Sequence, residues 1–433
     1  MALFTFFDKQ FKLCMGALFC MVAILVLITP VALQPDSLGY IDIWFNRTPV
    51  YPLFVNAVQA VFGDSYKTAL KVLQLFLGLA SVWFFINQLR KQISLKAFWY
   101  LLLTLIILVP YLYNHKIANN ILTEAIAYPL YLLTTIHFLL FFFKDRTIHL
   151  RYALIFLFIL LLTRKQFLYF VPIGMVILFW ISYKSKTFKN HIPHFIVLAL
   201  LPFLVSLTDS TYHKIVHGHF TNTPWTGIHL LAPAMYVADK EDVAIYTSEE
   251  EKAYFNAIYA EIEENKYNEA AAISEGQDII SHYIANFAKI ANGTIYPIGK
   301  ERYENELSKD DALIKVDETT TAMSIPLIKD NFKKWLSLYI KNFSYGFENS
   351  KYVLLFVILF LFGISKINVS NINRFKAIAF VTCITISNIA IVAVGMHTLK
   401  RFTFYNDWVL FFVIFILLNS ISTHYITQRK VHK

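Results

Sequence analysis

Residues 97–143 read AFWYLLLTLIILVPYLYNHKIANNILTEAIAYPLYLLTTIHFLLFFF, two apolar runs joined by a polar hairpin whose only formal charges are Lys116 and Glu124. A helix needs roughly 20 apolar residues to cross a bilayer, and inside hydrocarbon it must satisfy its own backbone hydrogen bonds. Strands of a membrane barrel would alternate in polarity instead, so this stretch reads as a pair of membrane helices with a short outer loop. Working outward, the same pattern recurs at 13–33, 68–87, 152–162, 167–182, 192–207, 352–364, 377–395 and 408–420. The reading is an all-α polytopic membrane protein of about ten transmembrane helices.

Composition agrees. The 433 residues are 57% hydrophobic and only 16% charged, where a soluble chain carries about a quarter charged residues. The net charge of +10 does not mark a nucleic-acid binder, because it is unevenly placed. Residues 208–350 hold 22 acids against 13 bases, and the rest of the chain holds 7 acids against 26 bases. The basic part is the membrane part. With the short basic segments placed inside, both termini are expected in the cytoplasm and 208–350 on the outer side. The division is then 1–207, with a first outer loop at 34–67, an acidic outer domain at 208–350, expected mostly helical, and closing helices at 351–433. Cys14, Cys20 and Cys383 fall in apolar runs and read as packing residues.

The chemistry-bearing residues gather in the outer loops. The first reads QPDSLGYIDIWFNRTPVYPLF and crowds Asp36, Tyr40, Asp42, Arg47 and Tyr51 together, and the second ends in Glu124 at the start of a helix. Carboxylates beside cations at a membrane rim suit activation of a hydroxyl next to a phosphate. Arg164 and Arg401 run against the positive-inside bias, which favours a functional reading for them over an anchoring one. His115, His217, His219 and His397 face outward by this topology without metal-ligand spacing.

The motifs DSxxY (Asp36 to Tyr40), RxPxYPLF (Arg47 to Phe54), TExxxYPLYLL (Thr123 to Leu133), a TR turn (Thr163 and Arg164) and RFxxY (Arg401 to Tyr405) follow one another along the chain. In order and spacing the chain resembles the GT-C superfamily of integral-membrane glycosyltransferases, particularly bacterial relatives of protein mannosyltransferases and aminoarabinose transferases. The resemblance implies a GT-C fold and transfer of a hexosyl or pentosyl group from a polyprenyl-phosphate carrier, with inversion, to an acceptor hydroxyl on the outer side of a bacterial inner membrane. It implies Asp36 as general base, Glu124 as a second acid, and Asp42 as partner or rival base. Arg164, Lys165, Arg401, Lys400 and Arg47 would hold the donor phosphate, and Tyr40, Tyr51, Tyr128 and Tyr405 the substrate. No cofactor is required. If a divalent metal takes part, Asp36, Asp42 and Glu124 are its candidate ligands. The acceptor is a glycan, a lipid or a protein. A transporter or flippase of a lipid-linked glycan, and an O-antigen ligase or polymerase, remain the rival readings.

Overall fold

The computed structural model describes residues 6–7, 9–113, 115–368 and 372–431, and the chain over them is helical apart from short turns and loops. The single β feature among these residues is an isolated parallel bridge between Ala32 and Asn120. Each of the ten apolar runs carries a helix, the first only as far as Ile28. Among the described residues seven helices are long and apolar enough to cross a membrane, or eight if Phe332–Gly346 and Ser350–Ser365, bent by 78°, form one span. Ala97–Leu112 and Thr147–Leu161 are apolar but shorter, at 16 and 15 residues. The chain is thus an all-α polytopic membrane protein, with fewer full-length spans than the ten expected.

Contacts divide the chain into two units. The first runs to Asp209 and adds Phe356–Ile386 and the chain from Phe404 onward. Its central element is Glu124–Lys144, almost every residue of which is buried. That helix packs chiefly on Thr147–Leu161 and on Tyr66–Gln92, and Phe11–Ile28 packs on Ala97–Leu112. Phe11–Ile28 has few buried residues, as expected of a helix facing lipid. Two helix ends carry the same device: Asp145 (φ +54°) closes Glu124–Lys144 and Lys186 (φ +53°) closes Phe170–Ser185, each in the left-handed region with its N–H donating back to the last turn.

The first outer loop departs from a plain loop at 34–67, because Val50–Phe62 is a helix. It stops at Gly63, where φ is +51°, and after a 3-10 turn the chain continues as Tyr66–Gln92. Gly78 in that helix sits under the Tyr111 ring, where a Cβ would stand 2.0 Å from the hydroxyl oxygen, so only glycine permits this approach.

The second unit comprises Ser210–Leu355 and Ser387–Thr403. As the sequence reading expects of the outer domain at 208–350, it is mostly helical, with Glu249–Glu264, Glu269–Ser274 and Ile279–Ala288 followed by a π stretch at Lys289–Ile295. Asn268, Asp278 and Ser308 cap the following helices by accepting a backbone N–H three residues on. Its core is aromatic, and two of its buried phenols donate to backbone carbonyls: Tyr254 Oη to Ile295 O at 2.6 Å and Tyr246 Oη to Met323 O at 3.1 Å. Gly227 closes the core, its N–H donating to Asp317 Oδ1 at 2.7 Å.

Candidate functional site

Three segments of the first unit meet at one place. The first outer loop and the second are stitched by Ala32 N donating to Asn119 O (2.9 Å), Gln34 Nε2 to Asn120 Oδ1 (3.2 Å) and Ser37 Oγ to Ile121 O (3.0 Å). Below them, Lys71 Nζ donates to the Leu27 and Thr29 carbonyls at 2.9 and 3.0 Å, and Gln74 bridges Ala118 O to the Tyr51 hydroxyl. The third segment is the turn after Thr147–Leu161. Thr48 Oγ1 donates to Thr163 O at 2.9 Å and Val50 N to Leu162 O at 3.4 Å. Buried backbone groups of these loops therefore have partners.

On this scaffold stand two carboxylate–guanidinium pairs. Asp36 precedes the short Ser37–Ile41 helix, and its Oδ1 accepts from Arg47 Nη2 at 3.2 Å. Arg47 returns to Asp36 through a tight turn in which Ile43 holds φ +51°, a conformation costing a β-branched residue on the order of 1–3 kcal/mol. Glu124 begins the central helix, and its Oε1 accepts from Arg164 Nη1 at 2.8 Å. The Glu124 side chain is 4% exposed and that of Asp36 34%, so one pair is enclosed and the other is open to solvent or ligand.

Tyr40 lies between the pairs. It is buried, its ring carries the Arg47 guanidinium at 4.8 Å, and it meets the Tyr51 ring edge-on at 5.1 Å. Burial raises its phenol pKa, the Arg47 charge opposes the rise, Glu124 and Asp36 add to it, and Arg164 opposes it. All four charges thus act on one hydroxyl. Chemically, the carboxylates there can accept a proton and the guanidiniums can hold a phosphate oxygen.

The remaining sequence candidates fall elsewhere. Asp42 is exposed at the C-terminus of Ser37–Ile41, away from the ion pairs, and its charge is felt at Tyr66. Lys165 pairs with Asp209 at 2.8 Å. Tyr405 lies 6.0 Å below the Arg164 guanidinium, wholly buried. Tyr128 is also buried, donates to Ile107 O at 2.9 Å and packs on Tyr405, so both act as packing under the site rather than as open binding surfaces. Lys400 and Arg401 belong to the second unit, where Lys400 pairs with Glu348 at 2.8 Å and Arg401 lies over the Phe402 ring. Among the described residues no three His, Cys, Asp or Glu side chains form a metal-binding group. Asp36, Asp42 and Glu124 do not converge as a ligand set.

Some residues of the site escaped the sequence reading. Lys71, Gln74 and Asn119 are polar side chains in or beside apolar runs, and that placement is their signal. The sequence places Asp209 in the outer domain at 208–350, yet Phe188–His217 continues past Leu207, and Asp209 is 0% exposed within it. Comparison of the chain with protein-family models, with curated proteins and with solved structures finds no match.

Proposed function

We propose that this protein is an integral-membrane glycosyltransferase of GT-C type, with about ten membrane segments once the short apolar helices are counted. It would move a sugar from a polyprenyl-phosphate carrier to an acceptor hydroxyl of a glycan, lipid or protein. The reaction is assigned to the outer face of a bacterial inner membrane, with both termini cytoplasmic and 208–350 outside. The observation that carries the reading is the pair of carboxylate–guanidinium contacts around Tyr40, on loops stitched together at the membrane rim.

In this reading Asp36, the more open carboxylate, accepts the acceptor hydroxyl proton. The acceptor oxygen forms a bond to the anomeric carbon from the side opposite the phosphate, and the bond from that carbon to the phosphate oxygen breaks. The configuration inverts, and the released lipid phosphate keeps the electron pair. Arg47 and Arg164 neutralise the charge that builds on it. Glu124 keeps Arg164 in place.

The test is mass spectrometry of polyprenyl-linked sugars and surface glycans in cells carrying the active gene, none, or the Asp36→Asn variant. Accumulation of one polyprenyl-linked sugar with loss of one surface modification, in both the null and the variant, is the expected result. Normal transfer by Asp36→Asn at normal protein level removes Asp36 as the base. A second reading, a transporter of lipid-linked glycan, has one observation in its favour: the Asp209 carboxylate, paired with Lys165, is buried within a helix long enough to span. It predicts transfer intact in Asp36→Asn but lost in Asp209→Asn.

A further inference from the structure

We infer that the Phe332–Gly346 helix lies flat in the headgroup–acyl boundary of the bilayer, with the lipid surface as the partner of its exposed apolar face. This holds for an enzyme or a transporter alike. Phe332, Leu336 and Ile340 are 50%, 36% and 53% exposed, and their spacing of four residues lines them along one side of the helix. Trp335, Tyr339 and Phe343 extend the same sector as a ladder of stacked rings, with centroids 5.7 and 6.3 Å apart. Exposed Lys333 borders this stripe, and the other lysines lie further round the helix. Lys334 pairs with Asp239, and the Lys341 charge acts on Glu269 and Asp278 within the second unit. Asn342 anchors the buried side by donating to Ala393 O and Met396 O at 3.2 and 2.7 Å.

The depth of this stripe follows from what the helix is joined to. After Glu348, whose φ is +67°, and Asn349, whose side chain accepts from Lys351 N at 2.9 Å, the chain enters the apolar Ser350–Ser365 helix at a bend of 78°. A helix of 15 residues is about 22 Å long, so at that angle it climbs only about 5 Å along the axis of its neighbour. The polar headgroup zone on each side of a bilayer is about 5–7 Å deep. With Ser350–Ser365 near the membrane normal, the whole stripe stays at interfacial depth, where aromatic residues with a polar tip and an apolar body are at home. A contiguous exposed apolar strip of this kind would otherwise invite association in water.

The experiment uses the full chain in nanodiscs of phosphatidylcholine and phosphatidylglycerol, with Cys14, Cys20 and Cys383 changed to Ala. Single cysteines from Ile340→Cys, Leu336→Cys or Glu301→Cys, the last an exposed control in the same unit, carry a bimane label. Quenching by doxyl-labelled lipid is expected to be several-fold stronger at 340 and 336 than at 301, with aqueous iodide giving the reverse order. Iodide quenching at 340 and 336 equal to that at 301 overturns the inference, since the stripe then faces water. Protection of both positions from both quenchers also overturns it, in favour of a protein partner or a second copy.

Discussion

Glu124 and Asp36 hold their cations in different surroundings, and this separates their effects. Glu124 and Arg164 are both enclosed, with side chains 4% and 11% exposed. Neutralising one partner leaves the other charge buried, which costs about 3 kcal/mol or more. The Asp36 to Arg47 pair is more open, and such pairs contribute about 1 kcal/mol or less. Glu124→Gln is therefore expected to lower the melting temperature in detergent clearly, while Asp36→Asn leaves it nearly unchanged and loses transfer. Equal melting shifts would contradict this division. Gly39 offers a finer probe, because a Cβ there would stand 2.6 Å from Arg47 Nε. The guanidinium is the end of a flexible side chain, so Gly39→Ala should displace it from Asp36 rather than unfold the loop. The displaced Arg47 would then lose its charge-assisted hydrogen bond to the leaving phosphate, about 1.5–3 kcal/mol, so transfer should fall roughly tenfold or more with the melting temperature held. Unchanged transfer would show that Arg47 only shapes the loop.

At the scale of elements, small residues and left-handed turns decide how closely the helices come together. Gly363 of Ser350–Ser365 faces Ala379 of Ile372–Gly395, where a Cβ would lie 2.7 Å from the Ala379 backbone nitrogen. Backbone cannot move aside as a side chain can. Gly363→Leu should push the two helices apart at a cost of about 1–3 kcal/mol, visible as a lower melting temperature or a broadened size-exclusion peak. An unaltered profile would mean that this crossing is loose. The turns matter in the same way: Ile43, strained at φ +51°, reverses the first outer loop so that Arg47 reaches a residue eleven positions earlier. Nothing in the local sequence around Ile43 marks that turn. It persists because Asn56 Nδ2 donates to the Tyr40 and Ile41 carbonyls and holds the preceding helix down.

For the whole molecule, the second unit carries a pH dependence. Partly buried His229 packs on Phe287 and is pushed down to about 4 by desolvation, with neighbouring His397, itself lowered by burial, adding to the shift. Between pH 6.5 and 4 the unfolded chain binds protons that the folded one refuses, so stability is complete above 6.5 and declines as the pH falls towards 4. Melting curves from pH 7 to 4 should show this decline, and His229→Gln should flatten it. An identical slope in that variant would place the titration elsewhere. Much of the architecture was legible along the chain. Long apolar runs must be helical because hydrocarbon offers no partner to a backbone N–H, and charges at their rims, such as Asp36, Arg47, Glu124 and Arg164, stand out against them. Which charges pair was not legible. Glu124 starts one helix and Arg164 lies in the turn after another, and Lys165 and Asp209 also belong to separate segments, so their meeting depends on the close packing of segments distant along the chain. The depth of Asp209 was hidden for the same reason. A carboxylate beyond the last apolar residue reads as solvated, and only an extended helix with a lysine brought against it lets it be buried.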